Sequence, residues 1–185
     1  MPEECPCLLL IDVQKAFDQD EYWGERNNPD AEQRIAELLA HWRERDWPVA
    51  HVWHASTEKQ SPLRPDQPGY AVKPEAAPLA GEVVFTKTVN SAFIGTELEA
   101  HLRQRGIQRL VVTGLTTDHC VSTSVRMAGN LGFDVFLVAE ATATHGKTAP
   151  DGEFLSADYL HRAQLASLHQ EFCQVVSVQE ALAQS

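Results

Sequence analysis

Apolar runs and amphipathic stretches alternate along this chain. CLLLIDV (residues 7–13) is apolar at nearly every position, the signature of a strand covered on both faces. DAEQRIAELLAHWRER (30–45) instead spaces Ile35, Leu38, Leu39 and Trp42 at helical intervals, which predicts one buried stripe. Asp30 stands as its N-cap, with Gln33 placed to close a capping box. Further strands are predicted over VAHVWH (49–54), EVVFTK (82–87), RLVVTGL (109–115) and DVFLVA (134–139). Between the third and fourth, Thr96 caps ELEAHLRQR with Glu99 at the box position, and Gly106 ends that helix. A helix beginning near Cys120 runs to about Leu131, with Gly132 after it. Another covers Ala157 to Gln170 and leads to QVVSV (174–178), where Ser177 and Glu180 box in a last short helix.

Strands that alternate with helices through short turns predict parallel strands joined by crossovers. The expected architecture is therefore α/β: a single domain over residues 1–185, three-layer α/β/α with a mainly parallel sheet of Rossmann-like topology. One connection is long. Residues 55–81 carry prolines at 62, 65, 68, 74 and 78, and a loop of that length in a compact domain is functional or disordered. The prolines limit wandering and favour an ordered cover.

Composition narrows the function. The 185 residues, 43% hydrophobic, are enough for one domain with a sizeable core. A formal charge of -11 argues against nucleic acid, which would need a basic face, so no nucleic-acid partner is expected. The start, MPEECPCLLLID, has no basic region, and its apolar run is too short for a secretory signal. No stretch approaches the ~20 apolar residues of a membrane span, so no membrane partner is expected. Cys5, Cys7, Cys120 and Cys173 do not suggest a disulfide scaffold, and a cytoplasmic location follows.

In parallel sheets, ligands bind beyond the carboxyl ends of the strands. Asp12, His54, Lys87, Cys120 and Glu140 all fall at that edge of their predicted strands. A thiol in the first turn of a helix feels the positive end of the helix dipole, and a nearby ammonium would add to it. Both lower its pKa from ~8.5. The bland alternative for Cys120 is a small buried apolar residue. Asp12 interrupts an apolar run where an unpaired charge is costly, and Lys87 could simply snorkel at a strand end. Together the three satisfy one another as nucleophile, base and orienting cation.

LLLIDVQKAF, FTKTVNSAF and VVTGLTTDHCVSTSVRMAGNLGFDVFLVAEATAT resemble, in order and spacing, the three blocks of the isochorismatase-like cysteine hydrolases. That superfamily includes nicotinamidases, N-carbamoylsarcosine amidohydrolases, ureidoacrylate hydrolases and the cysteine-lacking isochorismatases. The resemblance implies a catalytic Asp12, Lys87 and Cys120, acting on a small-molecule amide or related C–N bond through a thioester. It also implies a cis peptide at Leu115-Thr116 and an oxyanion hole made by the N–H groups of Thr116 and Cys120. Phe17, Trp53, His54, Phe93 and His119 become candidate pocket residues, with core packing for Trp53 and a structural role for His54 left open. Arg64 reads as a solvated loop arginine, and Glu140 receives no chemistry.

Nicotinamidases carry Asp-x-His and further histidines after the second strand. Here HVWHASTEKQSPLRPD offers only His51 and His54, on opposite faces of a strand, so no metal and no cofactor are expected. A homodimer or homotetramer is implied by the resemblance alone. The rival readings are a redox thiol, with Cys5 and Cys7 as an exchanging pair, and a catalytically retired family member acting as a binding or structural subunit. G-x-G-x-x-G, Walker A and G-x-S-x-G patterns are absent.

Overall fold

A computed structural model describes residues 5–183; the first four residues of the acidic start and the last two of the expected 1–185 span lie outside the described residues. Along the chain run β1 (Cys7–Ile11), α1 (Asp20–Trp23), α2 (Ala31–Glu44), β2 (Val49–His54), β3 (Val83–Lys87), α3 (Leu98–Gln104) and β4 (Arg109–Leu115). There follow α4 (Ser122–Asn130), β5 (Asp134–Ala143), β6 (Lys147–Thr148), β7 (Phe154–Leu155), α5 (Ala157–Leu168), β8 (Gln174–Val176) and α6 (Val178–Leu182). Six strands form one sheet in the order β3-β2-β1-β4-β5-β8, every neighbouring pair parallel. The short antiparallel pair β6-β7 has no counterpart in the sequence pattern.

The strand order places a topological switch between β1 and β4: from there the chain winds outward to β3 on one side and to β8 on the other. Crevices at such switch points are where open α/β sheets bind ligands. On one face, Ile35, Leu38, Leu39 and Trp42 of α2 pack with Val178 and Ala181 of α6 against Leu8, Leu10 and Val111. On the other, Leu98, Leu102, Val125, Ala128 and Leu168 from α3, α4 and α5 cover Leu9, Ile11 and Val112. The result is the three-layer α/β/α arrangement. Among the described residues, no helix is long and apolar enough to cross a membrane.

Several local expectations are corrected. Asp30 precedes α2 but its side chain makes no cap hydrogen bond: it sits at φ -94, ψ 7, and not in the extended conformation typical of a capping residue. The helix is held by packing instead. Its four large buried apolar side chains, Ile35, Leu38, Leu39 and Trp42, contribute roughly 1.5–3 kcal/mol each, against about 1 kcal/mol for a cap. Thr96 donates its hydroxyl to Ala92 O and accepts from Leu98 N–H, but no box with Glu99 forms and α3 begins only at Leu98. The Ser177–Glu180 box is present in full. Strand β1 stops at Ile11 and not Val13, because Asp12 turns to φ 51.

Glu140 does not close β5. The strand runs on to Ala143 after a register shift: Val112 pairs with Leu137, but Gly114 pairs with Thr142. Glu140 falls inside this bulge and its Oε2 accepts from Val178 N–H at 2.6 Å, serving the start of α6 and not the reactive edge. Gly114, at φ 123, lies so close to β1 that a Cβ there would stand 2.0 Å from Ile11 O.

The 55–81 stretch is an ordered cover with short 3-10 turns at Pro68–Tyr70 and Pro74–Ala76. Its anchor is Lys73, 5% exposed, whose ammonium pairs with Asp18 and Glu32 at 2.5 Å each, while Arg26 completes the cluster on Glu32. Burial would raise the Glu32 pKa, but hydrogen bonds and charge from Arg26 and Lys73 prevail and hold it at about 2, against an ordinary 4.5. A depressed carboxylate pKa stabilises the fold above its unfolded value, and that stability is lost as pH falls through the folded one. The urea midpoint is therefore expected to drop between pH 4.5 and about 2, and Glu32→Gln to make that drop shallower. An unchanged acid limb in the variant would show that the cluster does not carry it.

Candidate active site

Strand register delivers the reactive groups to one place. His54 pairs with Lys87 across β2 and β3, and Ile11 pairs with both Val52 and Gly114. The ends of four strands are thus level at the switch point. Asp12 continues the ladder through its N–H to Val52 O, 2.8 Å, then leaves the strand at φ 51, a left-handed conformation that Asp tolerates better than most residues. Past β4, the Leu115-Thr116 peptide is cis, and a π-type turn over Thr117–Val121 leads into α4 with Cys120 inside it.

The Lys87 ammonium is the centre. Its three donors go to Asp12 Oδ2 at 2.6 Å, His54 Nδ1 at 2.8 Å and Cys120 Sγ at 3.2 Å. Asp12 is 0% exposed, Lys87 1%, Cys120 6% and His54 9%. Asp12 Oδ1 is buried without a hydrogen-bond partner, and its carboxylate lies within 4.8 Å of the Cys120 sulfur.

Electrostatics here reverse one expectation. Burial and the neighbouring Asp12 charge push the Cys120 thiol up, more than Lys87 pulls it down, so the resting thiol stays protonated. Burial also raises Asp12, against the pull of Lys87. One ammonium in a dry site supports one anion, and the two acids compete for that role. The helix-start position of Cys120 does not outweigh burial. His54 is pushed down to about 4 by burial and by Lys87, so its imidazole is neutral.

Asp12, His54 and Cys120 could each offer a ligand atom, all within 4.8 Å of one another. A metal does not fit them: the Lys87 ammonium already stands within hydrogen-bond distance of all three, has no lone pair to give, and would face the ion at contact.

The remaining candidates divide. Phe17 is buried with Leu115 and Leu63, its ring 5.2 Å from Trp23 and 6.3 Å from His145. Phe93 packs on the cluster that contains Cys120, with its ring 5.9 Å from Phe133. His119 is exposed, 3.9 Å from Asp118. Trp53 is not brought to the reactive groups: alternation turns it to the face opposite His54, where it meets Tyr70 edge-on. His51, also opposite His54, bonds Glu82 at 2.8 Å. Arg64 pairs with Asp66 within its own loop. Cys7 lies in the core with its thiol pushed up to about 12 by burial, which does not suit an exchanging pair with Cys5.

Other residues at the site were not legible as such. Gln14, fully buried, receives His54 N–H on its Oε1 and donates its amide to His54 O and Tyr70 O, fixing the His54 backbone from both sides. Asp118 is held by Lys147 and by Thr144 Oγ1, and Thr117 Oγ1 meets His161 Nδ1 at 2.9 Å. A glutamine two residues after a buried Asp was the available signal for Gln14; Asp118 and Thr117 had none beyond their place beside Cys120. A cavity of about 300 Å³ opens elsewhere, against Lys15, Asp18, Arg26, Glu32 and Lys73, and contains none of the reactive groups.

A family profile described as "Isochorismatase domain" matches residues 6–180. The uncharacterized isochorismatase family protein YrdC of Bacillus subtilis (strain 168) is 46% identical over 97% of this chain and 96% of its own. The crystal structure of an isochorismatase-family protein from Chromobacterium violaceum ATCC 12472 superposes with a TM-score of 0.95 at 48% identity, covering 100% of this chain and 95% of that one. Ureidoacrylate amidohydrolase RutB of Agrobacterium fabrum is 31% identical over 72% of this chain and 58% of its own length.

Proposed function

The chain belongs to the isochorismatase family of hydrolases, and from that premise we propose that it cleaves an amide or related C–N bond of a small molecule with Cys120 as nucleophile. The observation that carries this reading is the Lys87 ammonium shared by Asp12 and Cys120 in a buried site, 2.6 and 3.2 Å away. In the first step Asp12 Oδ1, the oxygen without another partner, takes the thiol proton as sulfur attacks the carbonyl carbon. The negative charge passes from Asp12 to the carbonyl oxygen, which the N–H groups of Thr116 and Cys120 receive.

Collapse of the tetrahedral intermediate breaks the C–N bond, and Asp12 gives its proton to the departing ammonia or amine. A thioester remains on Cys120. Asp12, again a carboxylate, then activates a water that releases the acid and restores the thiol. The similarity to a ureidoacrylate amidohydrolase supports the inclusion of ureido C–N bonds in the substrate class. The thiol at position 120 argues against isochorismate hydrolysis, which the family carries out without it.

The test is a panel of small amides and ureido acids scored for ammonia or amine release, with rapid acid quench and mass spectrometry of the Cys120 peptide. An acyl adduct on Cys120 and loss of release in Cys120→Ala are expected. Turnover that survives Cys120→Ala would falsify the scheme.

A further inference from the structure

We propose that His54 is a specificity-determining residue, presenting an Nε2–H donor to a second hydrogen-bond acceptor on the substrate beside the scissile carbonyl. This rests on the hydrolase reading above and deepens it by naming the substrate class: amides that carry a carbonyl, carboxylate or ring-nitrogen acceptor close to the amide.

The geometry leaves His54 one tautomer. An ammonium has only donors, so the contact from Lys87 Nζ to His54 Nδ1, 2.8 Å, requires that Nδ1 accept. The ring proton then sits on Nε2. That nitrogen has no hydrogen-bond partner among the described residues; the bonds of His54 are those of Nδ1 and of its backbone. The residue keeps 9% of its surface open, so the donor is not sealed in the core. A ring nitrogen of His54 lies within 4.8 Å of Cys120 Sγ, which puts the imidazole beside any carbonyl carbon that sulfur attacks.

The backbone that carries the ring is also held. The Gln14 amide bonds both the N–H and the C=O of His54, at 2.8 and 3.2 Å, and Gln14 is itself fully buried. The contact with Lys87 fixes the tautomer, and the Nε2–H it leaves over is available to a ligand. Held from both ends, His54 is a preorganised donor, and a substrate acceptor that meets it costs the site no rearrangement.

The test separates this role from bracing and from the hydrolase reading. Iodoacetamide and allyl iodide are alkylating agents of similar size, and only the first carries an acceptor. Their rate ratio at Cys120, normalised to the same ratio for N-acetylcysteine, needs no substrate. His54→Asn keeps an acceptor near the Nδ1 position but removes the Nε2 donor, and is expected to lower the ratio roughly five- to tenfold. His54→Gln keeps a donor near Nε2 and is expected to retain the ratio. If His54 only braces Lys87, both rates fall together in either variant and the ratio stays at its wild-type value; that outcome, or a fall in His54→Gln alone, overturns the proposal. A matched pair of amides, propionamide and succinamate, carries the hydrolase reading: an enzyme that cleaves neither of these nor any of the panel above, with a ratio that still responds to His54→Asn, refutes the hydrolase reading and leaves the donor assignment standing.

Discussion

Asp12→Asn is expected to speed alkylation of Cys120 at neutral pH about tenfold or more, while cutting amide turnover by roughly 10³- to 10⁴-fold. The two effects run in opposite directions because Asp12 has two relations to the thiol. Electrostatically it is a rival: its charge, with burial, holds the Cys120 proton on. Replacing it leaves the Lys87 ammonium, 0% exposed at its side chain, without an anion, and Cys120 is the acid within 3.2 Å that can supply one. The thiolate becomes the resting form. Chemically, however, Asp12 is the proposed acceptor of the thiol proton and donor to the leaving nitrogen, and an amide carries out neither role. The check is Cys120 labelling by iodoacetamide from pH 6 to 10, followed peptide by peptide, beside ammonia release. In the wild type the rate is expected to climb only above the ~8.5 of a free thiol; in Asp12→Asn it is expected to climb below it. A variant that labels no faster than wild type, or that keeps its turnover, refutes the shared-anion account.

Lys87→Met is the second large effect, and it falls on stability as well as activity. Removing one member of a buried ion pair leaves the other uncompensated, at a cost of about 3–5 kcal/mol. Here the survivor is the Asp12 carboxylate, 2.6 Å from the lost ammonium. The double variant Asp12→Asn/Lys87→Met buries no charge and is expected to regain most of that loss, with turnover still absent. The sign of the pH dependence follows. Asp12 is already raised by burial with Lys87 in place, and without Lys87 it rises further. A carboxyl whose folded pKa lies above its unfolded value binds more protons folded than unfolded, so the stability of Lys87→Met falls as pH rises until that folded pKa is passed. Urea unfolding at pH 5 and pH 8 reads both points. Equal midpoints for the single and double variants at pH 8 would remove the buried charge as the cause.

Much of this site was written in the sequence because parallel strands buried on both faces appear as unbroken apolar runs. CLLLI and RLVV announce β1 and β4, and a charge interrupting or following such a run stands out, as Asp12 and Lys87 do. What stayed hidden depends on depth and on neighbours. The place of Cys120 at a helix start was readable, but not that burial to 6% exposure beside a carboxylate reverses the direction of its titration. The Asp30 cap was a sound local pattern; α2 simply does not need it with Leu38, Leu39, Ile35 and Trp42 in the core. Glu140 was misplaced because nothing in DVFLVAEATA marks where the β5 register slips. Gln14 lies just past the strand with nothing local to mark it, and only the fold reveals that it acts as a substitute strand partner for His54.

Lys87 is the last residue of β3, and β3 is the outermost strand of the sheet, paired with β2 alone. Its upstream residues alternate: Val83 and Phe85 pack inward on the core, while Val84, 36% exposed, and Thr86 face outward. The ion pair at the strand's end is therefore also a rivet: it ties the edge strand, across the whole width of β2, to the residue that follows β1.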